Sequence, residues 1–308
     1  MEKKISVIIP NYNGKDLLAQ NLPNVIKNCS GCEIIIVDDG STDGSAKFVK
    51  ENFKELKLIE TKKNVGFSKA INLGVEKAST PLVLLLNSDI SPRTNFLIPL
   101  KKYLKDFDND LFAVGLADYS HEGSKTITRG RGGALFEKGF ISHFAAKIKP
   151  AETFWVSGGS GLFDRNKFIR LSGFDPIFSP FYWEDIDLSY RAAKSGYTCL
   201  FEPESKVDHF HEKGAIKSLF PPTYVKTVSY KNQFLFIWKN ISNPLLLSQH
   251  LLWLPYHFAK ALLTIDSPFF TGFFWAFLRI PKLILNSPLS TLNSQLSDKE
   301  VLAKFEKS

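Results

Sequence analysis

The N-terminal third of the chain alternates short apolar runs with stretches of helical period. "KISVIIP", "EIIIVDD", "LKLIET" and "PLVLLLN" read as strands, the last an apolar run greasy enough to be buried on both faces. Between them, "KDLLAQNLPNVIKNC" turns Leu17, Leu18, Leu22, Val25 and Ile26 toward one face. "FSKAINLGVEKAS" does the same with Ala70, Ile71, Leu73 and Val75. "STDGSAKFVKENF" opens a helix with good N-cap residues, and "TNFLIPLKKYLKDF" predicts one more. This alternation predicts an α/β fold, a Rossmann-like, mostly parallel sheet flanked by helices. Each strand ends in a polar cluster: "PNYNG", "DDGSTDGS", "NVGFS" and "NSD". Any one of these is a turn. Ligands of parallel sheets bind where the strands end, so four clusters on one rim predict a site.

The middle of the chain is less regular. "TRGRGGALF" is glycine-rich and basic, which predicts a surface loop. "FWVSGGSGLFDRNKF" predicts a strand, a glycine turn, a second strand and a charged turn. "FYWEDIDLSYRAAKSGY" predicts a helix that starts at acidic residues and ends at Gly196. Within it, Asp187 and Arg191 have the spacing of a helix-face ion pair. Residues 224–285 change character, becoming aromatic-rich with interruptions by Pro, His, Lys and Arg. No clean apolar stretch of about eighteen residues occurs there, although 267–285 comes nearest. Leu and aromatic faces edged by basic residues suit a membrane interface. Residues 286–308 read as a polar, frayed tail.

Composition adds less. The 308 residues are 44% hydrophobic and 23% charged, which allows a large core. A net charge of +8 favours anionic partners without choosing among nucleotides, nucleic acid and acidic lipid. The basic residues are dispersed and form no nucleic-acid motif. The opening "MEKKISVIIPNYNG" does not read as a signal peptide, its apolar part being short and ending in Pro10-Asn11. Three cysteines imply no disulfide framework, and the "CSGC" pair runs into a strand with no further zinc ligands nearby.

Six stretches then occur in order: "SVIIPNYNG", "IIIVDDGSTDGS", "NVGFSKAINLGVEKA", "LLLNSDI", "VSGGSGLFDR" and "FYWEDIDLSYRAAKSGY". Together they resemble a family 2 glycosyltransferase of the GT-A fold, especially its rhamnosyltransferase-like bacterial members. The resemblance covers about residues 5–212. It implies a GT-A domain over 1–222, with a nucleotide-binding half to about 118 and an acceptor-binding half from about 119. A helical, membrane-interface-type extension over 223–285 and the tail over 286–308 follow.

The resemblance implies an inverting, metal-dependent hexosyltransferase with a nucleotide-diphosphate donor, a UDP-sugar or dTDP-rhamnose. Asn87-Ser88-Asp89 stands where the family has Asp-x-Asp. It would hold Mg²⁺ or Mn²⁺ through Asp89 and Asn87, with Ser88 at the nucleotide; hard oxygen ligands suit either ion. His209 or His211 would add a ligand, and the spacing after "EPESKV" favours His209. Asp39 would accept the base N–H, while Asp38 equally suits a helix cap. Pro10 and Tyr12 would wall the base. Gly66 would let the backbone approach the nucleotide or simply serve a turn of positive φ. Asp43 reads as a helix N-terminal acid. Asp185 would be the catalytic base and Glu184 its neighbour at the acceptor. Trp183, Gly158 and Gly159 would line the acceptor.

The implied acceptor is a saccharide or lipid-linked saccharide in bacterial surface polysaccharide and cell-wall assembly. Its place would be cytoplasmic, peripheral on the cytoplasmic face of the inner membrane. An alternative is a nucleotide-sugar-binding module without catalysis, against which Asp89 and Glu184-Asp185 argue. A nucleotidyltransferase would want a glycine-rich phosphate loop after the first strand, and "PNYNG" is a poor one. A processive synthase would carry several spanning helices and a Gln-x-x-Arg-Trp segment.

Overall fold

A computed structural model describes residues 4–210, 220–285 and 294–306. Four strands, β1 (Ile5–Asn11), β2 (Glu33–Asp38), β3 (Lys57–Glu60) and β4 (Leu82–Leu86), form a parallel block in the order β4-β1-β2-β3. The helices α1 (Lys15–Asn28), α2 (Ser45–Asn52) and α3 (Phe67–Lys77) connect them. The sheet is apolar on both faces because both are covered. Val7, Ile9, Leu84 and Leu86 pack with Leu18, Leu22 and Val25 of α1. Ile8, Val83 and Leu85 point the other way, onto Ala70, Ile71 and Val75 of α3. Each such side chain contributes about 1.5–3 kcal/mol when buried. The expected α/β architecture is the observed one, and these four strands end on one rim.

The second half makes the sheet mixed. Here lie β5 (Ile90–Pro92), β6 (Leu111–Glu122), β7 (Lys125–Arg129), β8 (Gly132–Glu137), β9 (Phe140–Ala145), β10 (Ala151–Glu152), β11 (Ser160–Asp164) and β12 (Thr198–His209). The main path runs β10-β12-β6-β11-β4-β1-β2-β3, with β5 on β12 and β7 on β6. β11 is antiparallel to both β4 and β6, whereas β12 runs parallel to β6. β8 and β9 form a separate hairpin.

Four local expectations change. The helix expected over 94–107 is a chain of 3-10 turns, among them Pro99–Tyr103 and Asp106–Asp108. Asn95 has φ 63° and Pro99 lacks an N–H, so i→i+3 bonds such as Leu100 N to Leu97 O replace the α ladder. Helical spacing survives as burial of Phe96, Leu100, Tyr103 and Phe107. The basic glycine segment is not a loose loop, because Arg131 is buried and donates to the carbonyls of Glu152 and Lys147. No strand forms over 154–157, where Val156 N donates to Ser189 Oγ. The charged turn after β11 is a helix, α4 (Arg165–Arg170), capped by Asp164.

The C-terminal helices are α5 (Glu184–Lys194), α6 (Pro222–Asn240), α7 (Pro244–Leu263), α8 (Ser267–Phe277), α9 (Ile280–Leu285) and α10 (Asp298–Ala303). With the β8–β9 hairpin they make a second core, in which Phe234 and Phe236 of α6 meet Phe140, Trp183 and Tyr190. The tail is not frayed over its described part, 294–306. Val301, Leu302 and Phe305 are buried, and a capping box at Ser297 and Glu300 starts α10. Its charge is matched too: Asp298 accepts from Tyr190 Oη and Lys194 Nζ, each at 2.7 Å. Residues 286–293 and 307–308 of that tail lie outside the described residues.

Asp187, fully buried, ties α5 to α6. It pairs with Arg191 at 2.7 Å and Lys239 at 2.8 Å and accepts from Asn240 at 2.9 Å. Burial opposes its charge, but Arg191 and Lys239 outweigh that and hold its carboxyl below the usual range. Asp187→Ala leaves buried Arg191 without its carboxylate and Lys239 with Asp175 alone, and is expected to cost about 3–5 kcal/mol in denaturant unfolding. Removing the exposed Lys47–Glu51 pair should change stability by no more than about 0.5 kcal/mol. Because the Asp187 pKa is depressed, its contribution is present above the ordinary carboxylate range and fades as pH falls through the lowered value.

Candidate active site

The rim begins at the ends of β1 and β2. Asn11 Nδ2 donates to Asp38 Oδ2 at 3.0 Å, and Ser41 N to Asp38 Oδ1 at 3.0 Å, so Asp38 organises the turn. Asp43 likewise accepts from the backbone of Lys15 and Ser45. Asp39 is buried and braces the loop after β3: Thr61 Oγ1 and Val65 N donate to Oδ1, and Gly66 N to Oδ2. That leaves lone-pair capacity on Oδ2. Gly66 has φ +90° and ψ 156°, a region open essentially only to glycine. Pro10 is half-buried at the end of β1, and Tyr12 is exposed on the rim.

Asn87-Ser88-Asp89 leaves the buried β4. Asn21 of α1 holds it from below, donating to Ser88 O at 2.9 Å. Among the described residues nothing donates a hydrogen bond to the buried Asn87 Oδ1 and Asp89 Oδ1. His209 Nε2 lies 3.3 Å from Asp89 Oδ1. His209 Nδ1 lies 2.6 Å from Asp118 Oδ2 on β6. Burial alone would lower the His209 pKa, but the hydrogen bond to Asp118 and then the nearby carboxylate of Asp89 raise it to about 9. The register places His209 beside Ile90 of β5 and Ser120 of β6, so three strands deliver Asp89, Asp118 and His209 to one spot. Asp118 is the residue that sequence reasoning missed. Its signal was a carboxylate interrupting the apolar run of β6. His211 lies outside the described residues.

The acid pair opens α5. Glu184 is buried, and its Oε2 has no hydrogen-bond partner among the described residues. Burial, then the charge of Asp185, pushes Glu184 up to about 8; burial lifts Asp185 to about 6 against the pull of backbone donors. Trp183 is 5% exposed between His143 and Phe236, so the ring open to solvent at this turn is Tyr182, 43% exposed.

Two glycines join the halves of the site. Gly158 N donates to Asp185 Oδ2 at 3.4 Å, and Gly159 O accepts from Asn87 N at 3.0 Å. A Cβ on Gly159 would lie 2.5 Å from Asn87 Nδ2. An amide-carboxylate cluster and a raised carboxyl pair therefore face one another across a bare backbone.

The sequence model of glycosyl transferase family 2 matches residues 6–171, more than half of the chain. The chain belongs to glycosyl transferase family 2. This glycosyltransferase is 28% identical over 210 residues to the uncharacterized glycosyltransferase YaiP of Escherichia coli, covering 63% of this chain and 48% of that one. It is 23% identical over 239 residues to an N-acetylglucosaminyl-diphospho-decaprenol L-rhamnosyltransferase of Mycobacterium tuberculosis, covering 66% and 74%. The chain spans about half the length of several curated relatives it matches. In fold it is similar to GalNAc-T7, solved with UDP, GalNAc and Mn²⁺, at a TM-score of 0.62 and 19% identity, over 77% of this chain and 48% of that one.

The donor set suits a divalent cation. Two buried oxygens, of Asn87 and Asp89, stand without hydrogen bonds among the described residues, and an imidazole is oriented by a second carboxylate, as metal-bound histidines are. Among the described residues no three His, Cys, Asp or Glu side chains form a closed metal cage. An open site that borrows phosphate oxygens suits Mg²⁺ or Mn²⁺. Gly159→Ala should displace Asn87, weakening calorimetric UDP binding in Mn²⁺ at least about tenfold with the circular dichroism unchanged.

Proposed function

We propose that the chain transfers a sugar from a UDP-sugar or dTDP-rhamnose to a saccharide or lipid-linked saccharide, with inversion at the anomeric carbon. The observation that carries this reading is the joint at Gly158-Gly159, which sets the Asn87–Asp89 cluster against the Glu184-Asp185 pair. In this reading Asp89, Asn87 and His209 hold Mg²⁺ or Mn²⁺, which when bound offsets charge on the departing diphosphate. Asp118 orients His209. Asp39 receives the base at its remaining lone pair, beside Pro10, Tyr12, Gly66 and Ser88. Asp185 takes the proton from the acceptor hydroxyl as that oxygen attacks, and Glu184 binds or orients beside it. The acceptor lies along Gly158 and Gly159, against the edge of Trp183 and the open ring of Tyr182.

The same reading divides the chain into a catalytic domain over 1–222, a helical part over 223–285 and the segment beyond. It sets the protein at bacterial surface polysaccharide assembly, on the cytoplasmic face of the inner membrane. A rhamnosyltransferase of a lipid-diphosphate acceptor among the relatives supports a lipid-linked substrate. Among the described residues no helix is long and apolar enough to cross a membrane. Leu252, Leu263, Ile265, Phe274, Leu278 and Leu285 are nonetheless exposed, Leu252 by 79% and Leu263 by 84%. Lys260 and Lys282 lie on α7 and α9, and Arg279 lies in the turn between α8 and α9. A wide apolar patch edged by cations supports peripheral contact with anionic lipid.

Asp185→Asn is expected to abolish transfer while UDP or dTDP binding persists; near-normal turnover would remove Asp185 from the role of base. In the parent enzyme, turnover should rise with pH through about 6 as Asp185 ionises. A pH–rate profile flat from 5 to 7 would count against it. Leu252→Glu with Leu263→Glu should abolish co-sedimentation with vesicles of anionic phospholipid without lowering the melting temperature. Unchanged sedimentation would sink the membrane reading.

A further inference from the structure

Helix α6 follows the catalytic motifs in the chain, yet two of its side chains hold the turn that presents them. Asn232 is fully buried, and its Nδ2 donates to the carbonyls of Phe178 at 2.6 Å, Phe181 at 2.9 Å and Tyr182 at 2.8 Å. Three carbonyls surrounding one amide end require the nitrogen there, not the oxygen. The preceding residue, Lys231, is equally buried and donates to Ser179 O at 2.5 Å. An amine can make that bond whether or not it is charged. Two adjacent side chains thus secure four carbonyls within residues 178–182.

The segment so held ends in an unusual conformation. Tyr182 has φ 69° and Trp183 φ 76°, two consecutive bulky residues in the left-handed region, immediately before Glu184-Asp185. Such a pair persists only where the surroundings over-determine it. Trp183 is fixed by its ring contact with Phe236, again on α6. Without the Asn232 amide, whose two protons serve all three, the carbonyls of Phe178, Phe181 and Tyr182 lose their donor just before the acid helix.

We propose that Asn232 and Lys231 are positioning residues of the glycosyl transfer: from α6 they staple residues 178–183 in the left-handed turn that aims Glu184 and Asp185 at the acceptor. This rests on the reading of those acids given above. A core residue of merely structural value would weaken the whole fold. A staple of this kind loosens one turn and spares the nucleotide rim, which is built by β1 to β4.

The test uses the full chain with Asn232→Leu, close to isosteric, and Lys231→Met, which keeps the stem. Amide hydrogen exchange is read at 181–187, nucleotide binding by titration with UDP and dTDP in Mn²⁺, and turnover as nucleotide release from UDP-glucose and dTDP-rhamnose. The expected result is at least tenfold faster exchange confined to that turn and at least tenfold lower kcat. Nucleotide affinity should stay within twofold. Wild-type exchange at the turn in either folded variant, or wild-type kcat, would overturn the proposal. So would equal loss of nucleotide binding and kcat, which marks general damage. If Asn232→Leu does not fold, Lys231→Met decides by the same criteria. Asp185→Asn, run in parallel, separates the two layers: if it retains turnover the reading of the acids fails, whereas exchange reports on the staple alone.

Discussion

One buried carboxylate holds the two cores together. Asp187 has no exposure, and its charge is shared by Arg191 on its own helix and Lys239 on α6, with Asn240 completing the shell. A charge in that position is tolerated only with both cations present. The requirement fixes α6 against α5, and α6 then carries Lys231 and Asn232 to the turn ahead of the acid pair. The helical part is therefore built into the catalytic scaffold, while its outer helices α7, α8 and α9 keep much of their apolar surface exposed.

The site sits at a boundary between two ways of using polar groups. Around Asp38, Asp39 and Asp43 the carboxylates accept from backbone N–H groups and shape loops. At Asn87, Asp89 and Glu184, buried oxygens have no hydrogen-bond partner among the described residues. Such groups cost stability, and three of them lie on the two motifs that the Gly158-Gly159 joint brings together. Glycine is needed at that joint because a single Cβ on Gly159 would collide with Asn87.

The electrostatic pattern follows from the same burial. Water is removed from Glu184 and Asp185, and among the described residues no cation pairs with either at hydrogen-bonding distance, so both carboxyls hold protons more tightly than usual. At His209, equally enclosed, two carboxylates face one ring and favour its charged form. Proton affinity across the site is thus set by whether an opposite charge accompanies each group into the interior.

Much of this was legible in the residues alone. Apolar runs of four to six residues between amphipathic helices determined the α/β architecture, because a sheet covered on both faces admits little else. Polar clusters at the strand ends determined the rim, and the order of six motifs determined the family. What lies far apart in sequence was decided by packing. Asp118 meets His209 only because β6 and β12 pair, and Asp298 enters the core only because Lys194 is there to receive it. The amphipathic segment 94–107 kept its helical burial pattern but not its helix, since Pro99 and the left-handed Asn95 redirected its hydrogen bonds. Local pattern determines which face of a segment seeks the core; the partner that satisfies a buried charge or carbonyl is a property of the tertiary contact, and no local pattern contains it.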